Sequence, residues 1–542
     1  MGLFSTIAAK IGFGPSPLRE PDSVTKPAQP EIQTKVIIPS RHSTRRYDAA
    51  VPSNLTSDWQ AWSTSGNYEI FSAWRRTCFL ARDLERNNPH AKAFLRELCA
   101  NVLGAAGIQL QEKIKMQRGG GLNDKMNTSV MNAWKDFRRR GNYDVTGLLS
   151  GYKADRLILR ALARDGEVLI RLIRGFPNKY RFAIQLLEAD TLDIWYNAVL
   201  DPDEGTRVTM GVEVDKWGRP LAYHLLNYSQ QDLFANNTTM KRTRVPAQDI
   251  VHVYIAERIT QCRGISWFCP VATKLRMLER YEEAVAVAMR LSACKMGFYT
   301  QTKDAEKYEG QGQAPTGEII EEASPGELIK LPPGVDFKQF DPTNPTEKYA
   351  EFRKSALRSI SSGLGMMYNT MGNDLESTNY SSARFGRAVE IENWRDLQRF
   401  TMEDILQPIF DPFVEMAVMA EQMPGVDFDQ IDLVTQNAVW KPRGWAYVDP
   451  DKDAKAAANG IDMGLTSRRR ELAELGIDIE ELFQELAEDE KLAKKYGLTF
   501  VNAYSRQPEV QSTEDDPGAK GAEVVGPADE DEPEPAKGKK KT

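Results

Sequence analysis

The residue types that most often perform catalysis are sparse in this sequence and show no catalytic spacing. Of the four histidines, His224 and His252 lie in predicted strands, where a structural position is more usual than a catalytic one. The phosphate-binding pattern G-x-x-x-x-G-K-[ST], the zinc pattern H-E-x-x-H and the nucleophile pattern G-x-S-x-G are absent. Adjacent acids such as Glu321 and Glu322 would point to opposite faces of a strand. We therefore expect no catalytic site and no cofactor.

The cysteines suggest neither a disulfide framework nor a metal site. Their number is odd and their spacing is wide, and the segment between the two nearest ones is too long for a C-x-x-C zinc knuckle. Free thiols in a reducing cytoplasm are the simplest interpretation. The five are Cys78, Cys99, Cys262, Cys269 and Cys294.

The charge distribution argues against a broadly basic nucleic-acid binder. The 542 residues carry a formal net charge of −7. Residues 506–542 hold ten acids and six bases, a net −4, so the rest of the chain is near −3. Any contact with a nucleic acid must be local or weak. No apolar run approaches the roughly 20 residues that a membrane-spanning helix needs, so we expect no membrane partner.

One polar stretch offers a different kind of chemistry. Residues 368–390 read YNTMGNDLESTNYSSARFGRAVE, a polar segment that continues into a predicted helix. Asn379 or one of the serines after it is placed to cap that helix. Arg384 and Arg387 then lie in its first two turns, where the helix dipole already favours anions. The open question is which anion the two arginines hold.

Hydrophobic periodicity predicts an α+β domain in the first half of the chain. Helical spacing begins near Tyr68, pauses at the turn signal 87–89, and restarts in a second helix that Gly104 and Gly107 should end. It returns in residues 122–139 and in YKADRLILRALARDG, which Gly166 should stop. We interpret ARDGE (163–167) as a helix end and a strand start. Short alternating or apolar runs predict the strands GIQLQ, EVLIRLIR, RFAIQLLE, MGVEVD, PLAYHLLN and DIVHVYIA.

The second half alternates long helices with a Gly- and Pro-rich insert. A slim, alanine-rich helix follows Pro270, and a second helix follows residues 300–345. A very long helical pattern comes after the polar stretch, and Pro408 and Pro412 should kink or break it. Two helices that flank an insert are typical either of a stalk that packs beside copies of itself or of a helical hairpin in a monomeric enzyme.

The sequence resembles the portal proteins of tailed bacteriophages, in their lambda-like branch. The stretches that carry the resemblance are ARDLERNNPHAKAFLRELCANVLG (81–104), DGEVLIR (165–171), DIVHVYIAERITQCRGISWF (249–268) and NYSSARFGRAVEIENW (379–394). Their order and spacing also fit, over most of residues 65–480. No single stretch is chemically unique, but the set is specific.

The resemblance implies a portal-like α+β fold in a closed ring of about twelve subunits. Each subunit would have an α/β wing, two long stem helices that flank a small β-rich clip, a long kinked wing helix and an α-helical crown. The implied segments are an arm (1–45), the wing (46–269), stem helix 1 (270–296), the clip (297–345), stem helix 2 (346–365), a tunnel loop (366–380), the long wing helix with its connection (381–449), the crown (450–505) and a disordered acidic tail (506–542).

The resemblance also implies the partners. The ring would form the channel at one capsid vertex through which double-stranded DNA is packaged and ejected, without sequence specificity. The terminase large subunit, and later the head-completion or adaptor proteins, would dock on it, and the scaffold and the major capsid protein would surround it. The protein would belong to the virion and assemble in the cytoplasm of the host bacterium.

Three groups of residues become candidates for the channel. In the tunnel loop these are Asn369, Thr370, Asn373, Asp374 and Glu376. On the stem they are Arg276, Arg280, Arg353 and Arg358, which either cradle passing DNA weakly or pair with acids such as Glu282, Glu283 or Glu347 of a neighbouring copy.

Arg384 and Arg387 form the third group, with two roles open. They either contact DNA phosphates or clamp Asp374, Glu376 or an acid of a neighbouring copy. We favour the clamp, because a loop must be positioned even when DNA is absent.

Two other functions stay in competition with the portal hypothesis. A metal-dependent nucleic-acid-processing enzyme needs only scattered carboxylates, so the missing motifs do not remove it. A different ring protein of the virion, such as an adaptor, is disfavoured by the length of the chain and by its internal insert.

Overall fold

Helices and antiparallel sheets are both present in this chain, so the α+β prediction is confirmed at that level. The computed structural model describes residues 64–116, 121–227, 241–293, 297–301, 312–313, 319–320, 335–339, 349–374, 379–447 and 449–498. The predicted arm (1–45), the acidic tail (506–542), Glu376, Glu347 and Cys294 lie outside these residues. Among the described residues, no helix is long and apolar enough to cross a membrane.

The first part of the described chain is mainly helical. Its elements are α1 (Gly66–Asn87), α2 (Pro89–Val102), β1 (Gln109–Glu112), α3 (Asp124–Phe137) and α4 (Gly151–Asp165). The predicted turn between α1 and α2 is present, and the side chain of Asn88 caps α2 by accepting hydrogen bonds from the backbone N–H groups of His90 and Ala91. Gly166 ends α4 as predicted, with a left-handed φ of 89°.

Two antiparallel sheets follow. Their strands are β2 (Glu167–Arg174), β3 (Phe182–Leu187), β4 (Ala198–Asp201), β5 (Thr206–Thr209), β6 (Val212–Val214), β7 (Pro220–Leu226), β8 (Arg242–Pro246) and β9 (Ile250–Tyr254). The order β3–β2–β9 forms the first sheet and β4–β5–β6–β7–β8 the second. The strand predictions in this region hold, although β4, β5 and β8 were not predicted.

The second half contains the remaining elements. These are α5 (Ala272–Ala293), β10 (Gly297–Gln301), β11 (Gly312–Gln313), β12 (Ile319–Ile320), β13 (Val335–Gln339), α6 (Tyr349–Gly363), α7 (Tyr368–Gly372), α8 (Tyr380–Thr401), α9 (Gln407–Met419), α10 (Ile431–Asn437), β14 (Ala438–Lys441), α11 (Pro450–Asp462), α12 (Arg468–Glu474) and α13 (Ile479–Tyr496). Strands β10 and β13 pair with each other, as do β11 and β12, and β14 pairs with β1.

Helices α8 and α9 form the long helix that the sequence predicts, but Pro408 and Pro412 do not break it. A π-helical segment, Met402–Leu406, joins the two, and α9 continues through both prolines. A proline ring clashes with the carbonyl four residues before it. The wider π-turn lies directly before Pro408, where Gln407 donates its N–H to Met402, five residues back. This changed register accounts for the continuity of the helix.

An aromatic cluster holds this long helix against the first half of the chain. The Phe137 ring of α3 stacks on the Phe413 ring of α9, with centroids 4.4 Å apart. Trp134 contacts Phe410 at 5.2 Å and Trp440 of β14 at 5.8 Å, both edge-on. Aromatic pairs at these separations contribute about 0.5–1.5 kcal/mol each beyond their buried area. They join α3, α9 and β14 into one core.

A buried ion pair lies where the two sheets meet α1 and the loop before α5. Glu167 accepts hydrogen bonds from Arg263 Nε at 2.7 Å and from the backbone N–H of Gly264 at 2.9 Å, and His252 Nε2 lies 3.0 Å from it. Glu167 and Arg263 are fully buried. Arg263 also donates to the carbonyl of Met210 at 2.9 Å and stacks over the ring of Trp74.

The interpretation of ARDGE as a helix end and a strand start is correct, but it did not predict that the two acids of this segment are buried. Asp165 and Glu167, on either side of Gly166, are both buried. Asp165 accepts from Arg82 Nε at 2.8 Å, and Arg164 binds it as well. The segment is therefore the centre of a buried charge network.

Replacing Glu167 by Gln should strongly destabilise the fold, because Arg263 would keep a buried charge without its counterion. We expect a loss of about 3–5 kcal/mol in the free energy of unfolding at pH 7, measured by chemical denaturation. Burial alone would raise the pKa of Glu167, but Arg263 and His252 hold it at about 2. The stabilisation is therefore present above the ordinary pKa of 4.5 and lost as the pH falls from there towards 2. The exposed Glu69→Gln is the matched control, and equal stability of the two variants would contradict this role.

Replacing Glu112 by Gln should stabilise the fold at high pH, in contrast to the replacement of Glu167. Glu112 is 2% exposed, its carboxylate oxygens have no hydrogen-bond partner, and burial raises its pKa to about 8. The folded state therefore binds a proton that the unfolded state releases above pH 4.5, so stability falls as the pH rises from 4.5 to 8. The cost is up to about 4 kcal/mol at pH 8. Glu112→Gln should flatten this dependence in denaturation curves at pH 5 and pH 8, whereas the exposed Glu481→Gln should leave it unchanged. An unchanged slope in the first variant would refute the assignment.

Candidate functional site

The polar segment between α6 and α8 is more ordered than the predicted loop. It contains the short helix α7, and Asn369 and Thr370 lie within that helix. Met371 is 3% exposed, and Ser361 of α6 lies 3.3 Å from its sulfur atom. Burial of this methionine explains why a segment with polar composition folds as a helical turn. The tunnel loop implied for residues 366–380 is therefore helical at residues 368–372.

One carboxylate of α8 fixes the position of α7. Glu390 is 7% exposed and accepts hydrogen bonds from Thr370 Oγ1 at 3.0 Å and from the backbone N–H of Met367 at 3.4 Å. Burial raises the pKa of Glu390, and the two hydrogen bonds oppose that effect. Asn393, one turn later, donates to the carbonyl of Gly365 at 3.1 Å. Helix α8 therefore holds both ends of the segment that leads into α7.

Asp374 binds side chains of α7 and α6. Its Oδ2 accepts from the hydroxyl of Tyr368 at 2.6 Å and lies 3.3 Å from Lys354 Nζ of α6. Asn373, which ends α7, has a left-handed φ of 49° and an exposed side chain. Asparagine tolerates this backbone conformation better than most residues do. Asp374 thus closes the α7 turn against α6.

The start of α8 separates the two arginines that the sequence groups together. Asn379 caps the helix by accepting from the N–H of Ser382 at 2.8 Å, as predicted. Arg384 forms an ion pair with Asp453 of α11, an acid that the sequence prediction did not name. Arg387 forms no hydrogen bond or ion pair with any described residue. Arg384 is thus bound to α11, whereas Asp374 is bound to α6.

Three of the four arginines on α5 and α6 pair with acids of the same chain, whereas the sequence prediction named acids of a neighbouring copy. Arg276 binds Glu279 at 2.9 Å and Arg280 approaches Glu283 at 3.4 Å, each three residues along α5. Arg353 of α6 binds Glu282 of α5 at 3.0 Å. The fourth, Arg358, has its guanidinium 5.5 Å from the centre of the Tyr368 ring.

Helices α5 and α6 pack antiparallel. Lys274, near the start of α5, donates to Ser359 near the end of α6 at 2.6 Å. Further along α5, Tyr281 contacts the ring of Phe352 at 4.6 Å. The ends of the two helices that border α7 are the more buried part, with Leu275, Leu278, Leu357 and Ile360 at most 2% exposed.

Sequence reasoning missed a cavity of about 800 Å³ beside α7. It lies between α2, α7, α8 and the segment that carries Arg443 and Trp445, and Asn369, Thr370, Asn373 and Arg387 line it. Burial lowers the pKa of His90, which also lines the cavity and hydrogen-bonds the backbone of Met371. Arg443 is more than 50 residues from Arg387 in the sequence, so no local pattern signals their proximity.

No candidate metal centre is found in the part of the chain that the structure describes. There, no group of three or more His, Cys, Asp or Glu side chains is arranged to hold a metal ion. The four described cysteines, Cys78, Cys99, Cys262 and Cys269, are free thiols, and burial raises the pKa of each.

Removing the Glu390 carboxylate should loosen α7. In Glu390→Ala, the two hydrogen bonds to Thr370 and Met367 are lost, each worth about 0.5–1.5 kcal/mol. We expect backbone amides of residues 367–374 to exchange hydrogen roughly tenfold faster, as followed by mass spectrometry. Glu392→Ala, on the exposed side of α8, is the matched control and should not change exchange in α7. Equal exchange in both variants would show that Glu390 does not fix α7.

Comparisons with known proteins agree on one family. The family described as phage portal protein, lambda family, matches residues 53–398. A probable portal protein of Halomonas phage phiHAP-1 is 32% identical over 518 residues, which cover 94% of this chain and 95% of that protein. Portal protein B of Escherichia phage lambda is 24% identical over 319 residues, 53% of this chain and 59% of that protein. A chain from the neck of an empty GTA particle, computed with C6 symmetry, shares 15% identity over 74% of this chain and 94% of that one, with a TM-score of 0.42, too low to support an argument.

Proposed function

The chain belongs to the lambda family of phage portal proteins, and from this premise we propose that about twelve copies form a closed ring around a channel for double-stranded DNA. The ring would occupy one capsid vertex, and the genome would pass through it during packaging and ejection. The role is mechanical and structural and needs neither catalysis nor a cofactor.

The observation that carries the proposal is the way the chain holds α7 at the junction of α5, α6 and α8. Thr370 is bound by Glu390 from α8, and Asp374 is bound by Lys354 from α6. Two antiparallel helices thus present a short polar element whose position does not depend on a ligand. Such an element suits a constriction that must keep its shape while DNA moves past it.

The electrostatics of the stem suit transient contact with DNA. Each lysine or arginine that neutralises a phosphate steepens the salt dependence of binding, by a slope of about 0.9 per contact. Here Arg276, Arg280 and Arg353 are paired with acids of their own chain, which weakens their attraction for phosphate. A ring of such stems would let DNA slide without holding it.

The segments of the portal then follow from the family resemblance. Helix α5 would be the first stem helix and α6 the second, with residues 297–345 as the clip between them and residues 366–380 as the tunnel loop. The two sheets belong to the wing, α8 and α9 to the long wing helix, and α11, α12 and α13 to the crown.

The same resemblance supports the partners that we propose. The clip would bind the terminase large subunit during packaging and the head-completion or adaptor proteins afterwards. The scaffold and the major capsid protein would contact the outside of the ring. Assembly would take place in the host cytoplasm, and the finished ring would remain in the virion.

Arg384 and Arg387 receive different roles in this proposal. Arg384 positions α8 through Asp453 and so couples the tunnel loop to the crown. Arg387, which forms no hydrogen bond or ion pair among the described residues, would bind an anion from elsewhere.

Purified protein should form rings with a central hole. Twelve chains of 61.0 kDa would give particles of about 730 kDa in mass photometry, and negative-stain images should show a central opening. Monomers or dimers alone, over a range of salt and protein concentrations, would count decisively against the proposal. Cleavage of DNA in the presence of Mg²⁺ or Mn²⁺ would instead support the competing enzyme hypothesis.

A further inference from the structure

Two arginines from distant parts of the chain line the cavity beside α7. Arg387 belongs to the second turn of α8, and Arg443 belongs to the segment between β14 and α11. Arg387 is exposed and Arg443 is half-buried. Burial lowers the pKa of Arg443, and the nearby charge of Arg387 lowers it further. The two positive charges therefore repel each other across this cavity.

Neither arginine forms an ion pair with an acid among the described residues. Arg443 donates to the carbonyl oxygens of Ala100, at 2.6 Å, and Gly444, at 3.3 Å. Arg387 has no hydrogen bond or ion pair among those residues. The cavity also contains two acids. Glu97 lies 3.3 Å from Arg96, and Glu390 holds α7 while the nearby charge of Arg387 lowers its pKa.

The walls preorganise Arg443 for an anion. Its guanidinium lies 5.5 Å from the ring centre of Trp445, and that stacking limits its motion. Trp394, 3% exposed, lines the same cavity. A planar guanidinium held in this way matches the two oxygens of a carboxylate.

The size of the cavity favours a peptide carboxylate over the DNA duplex. Its volume of about 800 Å³ equals a cube roughly 9 Å on a side, whereas the major groove of DNA alone is about 12 Å wide. A duplex could touch Arg387 at the rim but could not reach the half-buried Arg443. An extended peptide with acidic side chains could reach both.

This chain carries such a peptide in its own sequence. Residues 529–534 read DEDEPE, with five acids in six positions, the densest acidic block in residues 506–542. The described residues end at Leu498, and Asp529 follows it by 31 residues. Fully extended, that length would span up to about 100 Å.

Leu498, after which that segment begins, is close enough to the cavity for the acidic block to reach it. Gly444, next to Arg443, lies against Leu475 and Gly476, since a Cβ added at Gly444 would be 2.1 Å from the carbonyl carbon of Leu475. Helix α13 begins three residues after Gly476 and has 18 residues, so it is about 27 Å long. Leu498 is therefore within reach of the cavity for a segment of this length.

We propose that the acidic block Asp529–Glu534 binds in this cavity, with its carboxylates on Arg387 and Arg443. The bound block would occupy the anion site that DNA phosphates could otherwise contact at Arg387. It would thus keep the contact of the channel with DNA weak. This inference goes beyond the portal function, which does not require it, so its failure would leave that function intact.

The test compares arginine reactivity in three forms of the full-length chain. The first is the native sequence. The second neutralises the block (D529N, E530Q, D531N, E532Q, E534Q). The third neutralises the five other acids of the same segment (E509Q, E514Q, D515N, D516N, E523Q). Each is treated with phenylglyoxal, and the modification of Arg387 and Arg443 is followed by mass spectrometry, with Arg399 of α8 as internal reference.

Neutralising the block should make Arg387 and Arg443 react roughly three- to tenfold faster, because each lost ion pair is worth up to about tenfold at low salt. In the third form, Arg387 and Arg443 should react as in the native protein, and Arg399 should react equally in all three forms. Equal reactivity in all three forms would overturn the proposal. Protection by a DNA duplex without any effect of the block would also overturn it, in favour of DNA as the anion.

A second measurement does not depend on how the variants assemble. A fluorescent peptide of residues 527–536 (PADEDEPEPA) should bind the block-neutralised chain, as followed by anisotropy, and Arg387→Gln should weaken that binding at least about threefold. Arg399→Gln, on the same helix but outside the cavity, should not weaken it. Failure of the peptide to bind, or equal binding by both arginine variants, would refute the proposed site.

Discussion

The contact between Glu167 and Arg263 is the constraint on which much of the structure depends. Two opposite charges without access to water are tolerated only if each remains paired and hydrogen-bonded. Glu167 lies in the first sheet, and Arg263 reaches carbonyls that flank the second sheet as well as the ring of Trp74 in α1. Removal of either side chain would therefore disturb both sheets and their contact with α1. Because the loop with Arg263 leads directly into α5, the same contact fixes the start of α5.

Helix α8 connects several other elements through its side chains. Its Glu390 holds α7, its Gln398 donates to the carbonyls of Val102 and Arg443, and its Arg384 binds α11. One helix thus contacts the polar turn α7, the end of α2 and the C-terminal helix α11. A displacement of α8 would change all three contacts together.

The sequence predicts local features well, because their causes are local. Asn88 and Asn379 cap helices, Gly166 ends α4, and hydrophobic spacing marks the helices and most strands. The family was also recognisable from short stretches. The failures involve contacts between distant residues. Asp165 and Glu167 looked like a simple helix boundary, Arg384 found its acid 69 residues away, and α7 was concealed by polar composition because a single buried methionine stabilises it. The continuity of α9 past Pro408 depended on a change of helical register that no residue pattern announces.

The backbone contact between Gly444 and Gly476 has a further consequence. Gly476 adopts a left-handed φ of 74°, and its amide and that of Gly444 are so close that a single methyl group on either would collide with main-chain atoms. Side chains around most interfaces can repack after a substitution, but main-chain atoms have no such freedom. The orientation of α12 and α13 relative to the segment before α11 is therefore set by two glycines, Gly444 and Gly476. Substitutions elsewhere on these helices can alter their surface without altering their direction.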